Sequence, residues 1–348
     1  MSPKRKKKLL FIIGSPNQTT QMHQIYLQLK DEFDCYFTQY FVSDWIMYTA
    51  LKLGTLEHTI VSGRFKKMGE KFVKDHGLQY DYAGESLGNK YDLVFLCTDM
   101  SYPRVAKETK TIWIQEGMTD PINSWAKFIK KMKMPAYMAL KTSLNGSSNL
   151  ADIYCVASQG YKDYFSQMGT EKERIIVTGM PNYDNVSEFL INDFPHKDYV
   201  LVCTSDIREQ KVSEDRVGFI KKCVEIANGK PLCFKLHPNE IWDRAYNEII
   251  ENTPEGTMVF QEEDTNHMIA NCSELITQYS TVVYIGIALG KPVHSYFNIE
   301  VLKKQLPVQN KGTSARNIAA IAREFVDFNG TGKEFLRQYV PEHALQSV

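Results

Sequence analysis

The chain has 348 residues, enough for two domains of ordinary size. Forty-one Lys and Arg balance 41 Asp and Glu, so no general charge points to nucleic acid, and 43% hydrophobic with 24% charged residues is the make-up of a globular protein. Seven scattered cysteines (Cys35, Cys97, Cys155, Cys203, Cys223, Cys233 and Cys272) show no metal-ligand spacing and read as reduced core thiols of a cytosolic protein.

The basic run Lys4 to Lys8 leads into Leu9–Ile13, an apolar stretch that stops at Gly14-Ser15-Pro16. That is too short for a signal core or a bilayer span, and it reads as a tail entering a first strand. A polar loop from Gly14 to Thr20 follows, and then Met22, Ile25, Tyr26, Leu29 and Phe33 recur at helical spacing. Strand, loop and amphipathic helix open a βαβ unit, although the loop lacks the full glycine fingerprint of a phosphate cradle.

Cys35–Phe37 predicts a short strand, and residues 43–75 predict helices broken at Gly54 and Gly63. Tyr91–Cys97 and Thr111–Ile114 predict strands, the second ending at Gln115-Glu116-Gly117. A carboxylate at such a tip is either a catalytic group or a solvated turn residue, and the position favours the former. Residues 122–142 interleave Trp125, Phe128, Met132 and other apolar residues with five lysines. The pattern fits a core-packing helix with a basic outer face, or a helix lying in a membrane interface; Pro135 limits it to about three turns.

Strands at Ile153–Ala157 and Arg174–Thr178 complete the first half, and polar residues 185–198 form a linker. The second half starts with the strand Tyr199–Cys203, tipped by Thr204-Ser205-Asp206. Next comes Leu232–Leu236, which ends in His237-Pro238-Asn239-Glu240. Pro238 stops regular pairing, so His237 stands at a strand end as a candidate proton donor or phosphate partner; its alternative is a turn or core histidine. Thr257–Phe260 leads to Glu262-Glu263-Asp264, and Leu275–Thr277 to Gln278-Tyr279-Ser280-Thr281. Ser280 and Thr281 open an apolar segment as an ordinary cap or a phosphate-binding helix start. From Thr313 onward, apolar residues at helical spacing predict a helix packing across both halves. The alternation gives an α/β fold of two Rossmann-like domains facing across a cleft, 1–185 and 198–312, with 313–348 crossing back to the first.

Specific residues carry a family resemblance. Gln115-Glu116-Gly117 resembles the acidic-glycine motif of bacterial GT-B sialyl- and Kdo-transferases, Lys235-Leu236-His237-Pro238 their His-Pro motif, and Tyr279-Ser280-Thr281 their Ser/Thr motif. Thr178 to Asp184 resembles a junction segment of capsule and teichoic-acid transferases. The resemblance implies a metal-independent, cofactor-free, inverting glycosyltransferase of envelope or capsule glycan synthesis. Glu116 would be the general base and His237 would assist the leaving phosphate. Lys235, Pro238, Ser280, Thr281, Glu263, Thr204 and Ser205 would hold the nucleotide-sugar donor. Ser15, Asn17, Gln18 and Gln115 would lie on the side of a glycan or lipid-linked acceptor. The protein would be cytoplasmic, docking on the inner membrane face through residues 122–142 and the basic tail, with no nucleic-acid partner.

Three alternatives remain. CDP-glycerol transferases are expected to carry a histidine where this chain has Glu116. UDP-GlcNAc 2-epimerases are expected to show an arginine-containing loop after the first strand and a Ser-Gly-Gly turn; here those stretches read Gly14-Ser15-Pro16-Asn17-Gln18 and Tyr279-Ser280-Thr281. A non-catalytic nucleotide-sugar-binding protein is the third.

Overall fold

The strand β1 (Lys8–Ile13) buries Leu9 through Ile13 without a break, as a strand covered on both faces must. It opens a computed structural model that describes residues 5–42, 45–56, 59–139, 142–209 and 212–339. Lys4 of the basic tail, and Leu140 and Lys141 of the basic aromatic segment, lie outside the described residues. The chain divides into two compact units, Met1–Asp184 with Asn310–Val348, and Asn185–Gln309.

In the first unit β1 is followed by α1 (Pro16–Leu29), β2 (Asp34–Gln39), α2 (Trp45–Lys52), α3 (Gly63–Asp75), β3 (Gln79–Tyr80) and β4 (Leu93–Leu96). Then come α4 (Arg104–Lys107), β5 (Lys110–Ile114), α5 (Ser124–Lys131), β6 (Ile153–Val156), α6 (Gln159–Gln167) and β7 (Ile175–Val177). The strands pair in parallel in the order β3-β2-β1-β4-β5-β6-β7. Strand order reverses between β1 and β4, and sheets of this kind bind ligands beyond the strand ends at such a point. Phe11 sits in register between Phe37 and Phe95, its ring stacked 5.1 Å from one and 4.6 Å from the other. Each stacked pair adds about 0.5–1.5 kcal/mol beyond its buried area.

The second unit repeats the plan with β8 (Val200–Cys203), α7 (Arg216–Ala227), β9 (Leu232–Lys235), α8 (Trp242–Glu251) and β10 (Met258–Phe260). It continues with α9 (Thr265–Asn271), β11 (Glu274–Thr277), α10 (Val283–Ala288), β12 (Val293–His294) and α11 (Ile299–Gln305). Its parallel order, β10-β9-β8-β11-β12, reverses between β8 and β11. Residues 185–198, irregular in sequence, pack onto this unit: Val186 and Phe194 are buried, and Asn271 donates to Asn192 at 2.8 Å and to the Phe194 carbonyl.

The chain closes with α12 (Ser314–Asp327) and α13 (Gly332–Gln338). The apolar face of α12, expected to pack across both halves, places Ile318, Ala319, Ala322 and Phe325 in the core of the first unit. Lys110 and Lys7 donate from Nζ to the Phe325 and Val326 carbonyls, setting cations at the negative end of the helix dipole. At its start the Ser314 N–H donates to Asp184 at 2.8 Å. Asp184 ends the Thr178–Asp184 segment, whose Asn182 also ties to α1 through the Asn17 carbonyl and Gln24. This segment therefore joins the returning C-terminal helix to the first βα unit.

All seven cysteines are buried with free thiols. Among the described residues no helix is long and apolar enough to cross a membrane.

Candidate functional site

The first unit gathers its polar candidates beyond β1 and β5. Gln115 clamps the turn after β5, donating from Nε2 to the Gly117 carbonyl at 3.0 Å and accepting the Ala157 N–H at 2.9 Å. Its amide is buried and hydrogen-bonded to backbone at both ends. Glu116 accepts the Ser15 hydroxyl at 2.7 Å on one carboxylate oxygen and the Gln18 amide at 2.5 Å on the other.

Ser15 and Gln18 are held in turn by the opening of α1. Ser15 is its N-cap, accepting the Gln18 N–H at 3.2 Å, while Gln18 Oε1 accepts the Ser15 N–H, a reciprocal capping box. With Oε1 so engaged, the Gln18 NH2 group is oriented as a donor to Glu116. Gly14 makes room for this, because a Cβ there would lie 2.1 Å from Gln18 Oε1. Asn17 is exposed on the same turn, its carbonyl held by Asn182.

Glu116 retains some open surface, yet protein atoms surround it closely enough for burial to push its carboxyl above the ordinary carboxylate value. The Ser15 and Gln18 hydrogen bonds pull in the opposite direction and are outweighed. Burial and then the Glu116 charge raise the Cys97 thiol and the Tyr183 phenol. The result is a pre-oriented carboxylate of raised basicity at a sheet switch point, the attributes of a general base. Asp99, at the neighbouring strand end, differs: fully buried, it accepts the N–H groups of Gly146 and Ser148, the Ser148 hydroxyl and the Tyr154 phenol, and so fixes the 146–148 turn.

In the second unit His237 follows β9, with its side chain 38% exposed. Its N–H donates to Thr204 and Glu240, and its Nδ1 accepts the Asn239 N–H at 3.2 Å, so the neutral ring carries its proton on Nε2. Asp206 Oδ2 stands 3.7 Å from Nδ1 and accepts from the Asn239 amide.

Behind this tip lies a buried ionic network that sequence reasoning missed. Glu240 accepts the Thr204 hydroxyl and the His237 N–H on one oxygen and pairs with Arg216 through the other. Arg216 also lies 3.5 Å from Glu214, which pairs with Arg208 and accepts the Gln278 amide at 2.7 Å. Three strand ends, β8 at Thr204, β9 at His237–Glu240 and β11 at Gln278, are thus bound to one set of charges. The one local signal was Glu240, three residues past His237; Glu214 and Arg216 leave no sequence pattern.

Other expected donor-binding residues fare differently. Lys235 is buried, and its ammonium donates to the Gln261 carbonyl at 2.6 Å and the Leu236 carbonyl, so its charge is spent on backbone. Thr204 is occupied by Glu240 and His237. Ser205 is buried with its hydroxyl 3.5 Å from the Tyr279 carbonyl, and Pro238 is exposed. Glu263 is exposed and lines a shallow depression with Trp242, Phe260 and Gln261. Ser280 and Thr281 are half-buried before α10, which has only six residues. The N–H groups of Val283, Tyr284 and Ile285, expected to be free for a phosphate, are taken by the carbonyls of Ser280, Thr281 and Val282. A tight i-to-i+3 entry into the helix is the cause. His237, Ser280 and Thr281 are the expected residues here that combine a polar side chain with partial exposure.

No protein-family model and no curated protein matches the chain by sequence. Two parallel-sheet Rossmann-like units place it in the GT-B-like class of folds. Within that class it is similar to a candidate UDP-N-acetylglucosamine 2-epimerase from Listeria monocytogenes, with TM-score 0.60 and 14% identity over 94% of this chain and 98% of that one. It is also similar to S. aureus MnaA in complex with UDP, with TM-score 0.57 and 14% identity over 98% of both chains. The UDP-GlcNAc 2-epimerase of Neisseria meningitidis bound to UDP-GlcNAc gives TM-score 0.56 and 10% identity over 91% of this chain and all of that one. At these identities the likeness is one of fold.

Proposed function

We propose that the protein is a nucleotide-sugar enzyme of the UDP-N-acetylglucosamine 2-epimerase type. Glu116 is its proton-transferring base, and the strand ends of the second unit at His237, Ser280 and Thr281 hold the nucleotide diphosphate. The observation that carries this reading is Glu116, fixed at a switch point by two side-chain donors with its carboxyl held above the usual range. Inversion at C2 requires the C2 proton to be taken as the C1–O bond to the nucleotide diphosphate breaks and accepts the electron pair, and a proton to return to the other face of C2 as the diphosphate adds back; taking the proton is work for such a base. The full-length similarity in fold to structures holding UDP and UDP-GlcNAc supports the nucleotide class.

Glycosyl transfer is the second reading, favoured by the Gln115-Glu116-Gly117 and Lys235-Leu236-His237-Pro238 stretches and by the absence of an arginine from the loop after β1. In that reaction Glu116 takes a proton from an acceptor hydroxyl. Melting temperatures measured with UDP, CMP, CDP and GDP, without added metal, test the proposal. A ligand at one hundred times its dissociation constant stabilises the native state by about 2.7 kcal/mol. Selective stabilisation by UDP, weakened in His237→Ala, is expected. Selectivity for CMP moves the weight to sialyl- or Kdo-type transfer, and no response to any nucleotide contradicts both readings.

A further inference from the structure

The segment following the candidate base carries charge of one sign. No acidic residue occurs between Asp120 and Asp152, while Lys127, Lys130, Lys131, Lys133 and Lys141 fall inside that interval. Because the whole chain is electrically balanced, this is a local feature. The helix α5 turns Ala126 and Ile129 inward and leaves Trp125 46%, Phe128 46% and Met132 57% exposed. Those three stand at i, i+3 and i+7, on one face of the helical turn. Lys127, Lys131 and Lys133 are exposed around them, and among the described residues none of the three has an acidic partner.

The aromatic pair is pre-arranged. Trp125 and Phe128 stack with centroids 5.5 Å apart, and the Trp125 indole N–H donates to the Met138 carbonyl at 2.9 Å. With its polar handle satisfied internally, Trp125 presents only apolar surface outward. We propose that this face docks on an anionic lipid surface. Trp125, Phe128 and Met132 enter the boundary of the acyl region, and the three lysines extend to the lipid phosphates.

Other occupants fit less well. One face of each aromatic ring is covered by the other ring, and Met132 offers no stacking plane, which disfavours nucleic-acid bases. A second copy of the chain, meeting this face with its own, would set unpaired lysines against lysines. The basic tail does not share the role. Arg5, Lys6 and Lys7 pair with Asp92, Asp34 and Asp327, and they precede β1, at the N-terminal ends of the parallel strands, whereas α5 follows the C-terminal end of β5.

Flotation of the full-length protein with phosphatidylcholine vesicles, with and without phosphatidylglycerol, tests the proposal. Binding is expected to the acidic vesicles only, to fall with added salt, and to weaken about fivefold for each lysine removed. Lys127→Glu with Lys131→Glu abolishes it, and Phe128→Ser weakens it, with melting temperatures checked to confirm that each variant folds. Binding equal on neutral vesicles, binding unchanged in the double lysine variant, or no binding at all overturns the proposal. So does single-stranded RNA that competes fully with acidic vesicles, or self-association lost in Phe128→Ser with no vesicle binding.

Discussion

Ser15 and Glu116 share a hydrogen bond of 2.7 Å across 101 positions of sequence. The same hydroxyl accepts the Gln18 N–H, so the group that starts α1 also orients the candidate base. Ser15→Ala is expected to cost about 1 kcal/mol of stability through the lost cap. It also removes a hydrogen bond that favours the ionised carboxylate, so the acid limb of the kcat/KM profile moves to higher pH. A pH–rate profile unchanged from wild type contradicts the role given to Glu116.

The raised Glu116 carboxyl makes a stability prediction of definite sign. Its folded pKa lies above the unfolded value, so the folded state binds the proton more tightly. That stabilisation is fully present below the unfolded pKa and is lost as pH rises through the folded one. Glu116→Gln, which cannot ionise, is therefore expected to melt higher than wild type at pH 7, with the difference vanishing near pH 4. The same variant loses turnover. Thermal melts across pH check the first expectation, and a variant less stable than wild type at pH 7 refutes it.

Gly14→Ala places a methyl group 2.1 Å from Gln18 Oε1. The Gln18 side chain must move, breaking both its capping bond and its donation to Glu116. Turnover is expected to drop at least tenfold while the melting temperature falls only slightly, because the clash is with the end of a flexible side chain. Equal activity would mean that Gln18 does not position the base.

In the second unit, removing one partner of the buried Arg216–Glu240 pair leaves a charge without compensation. Arg216→Met is expected to cost roughly 3–5 kcal/mol by that mechanism. Glu240→Gln keeps an acceptor for the His237 N–H and costs less, but it weakens nucleotide binding by loosening the His237 turn. Denaturant titration and nucleotide affinity measured on both variants separate the two effects. Nucleotide affinity in folded Glu240→Gln equal to wild type would show that the network serves stability alone.

Much of the fold was legible because strands buried on both faces leave unbroken apolar runs, as in Leu93–Leu96 and Val200–Cys203. The two-residue strands β3 and β12 carry too little pattern to be seen. The helix α5 was expected to run toward Pro135 and stops at Lys131; Lys133 takes a positive φ of 53° two residues later, which no helix continues through. In the site, residue type indicated where polar groups gather but not where their hydrogen bonds go. Gln115, Thr204 and Lys235 stood beside the expected ligands and are spent on the protein itself. Glu214 and Arg216 act through contacts with distant segments, at Gln278 and Glu240, which a linear pattern does not record.

Whether Glu116 moves a proton on a nucleotide sugar is read directly by proton NMR of UDP-GlcNAc incubated with the protein in deuterium oxide. Loss of the C2 hydrogen signal by exchange and appearance of the C2 epimer are expected, with neither change in Glu116→Gln. A substrate that binds yet keeps its C2 hydrogen with the wild-type protein contradicts the epimerase reading, and exchange that persists in Glu116→Gln contradicts the assignment of the base.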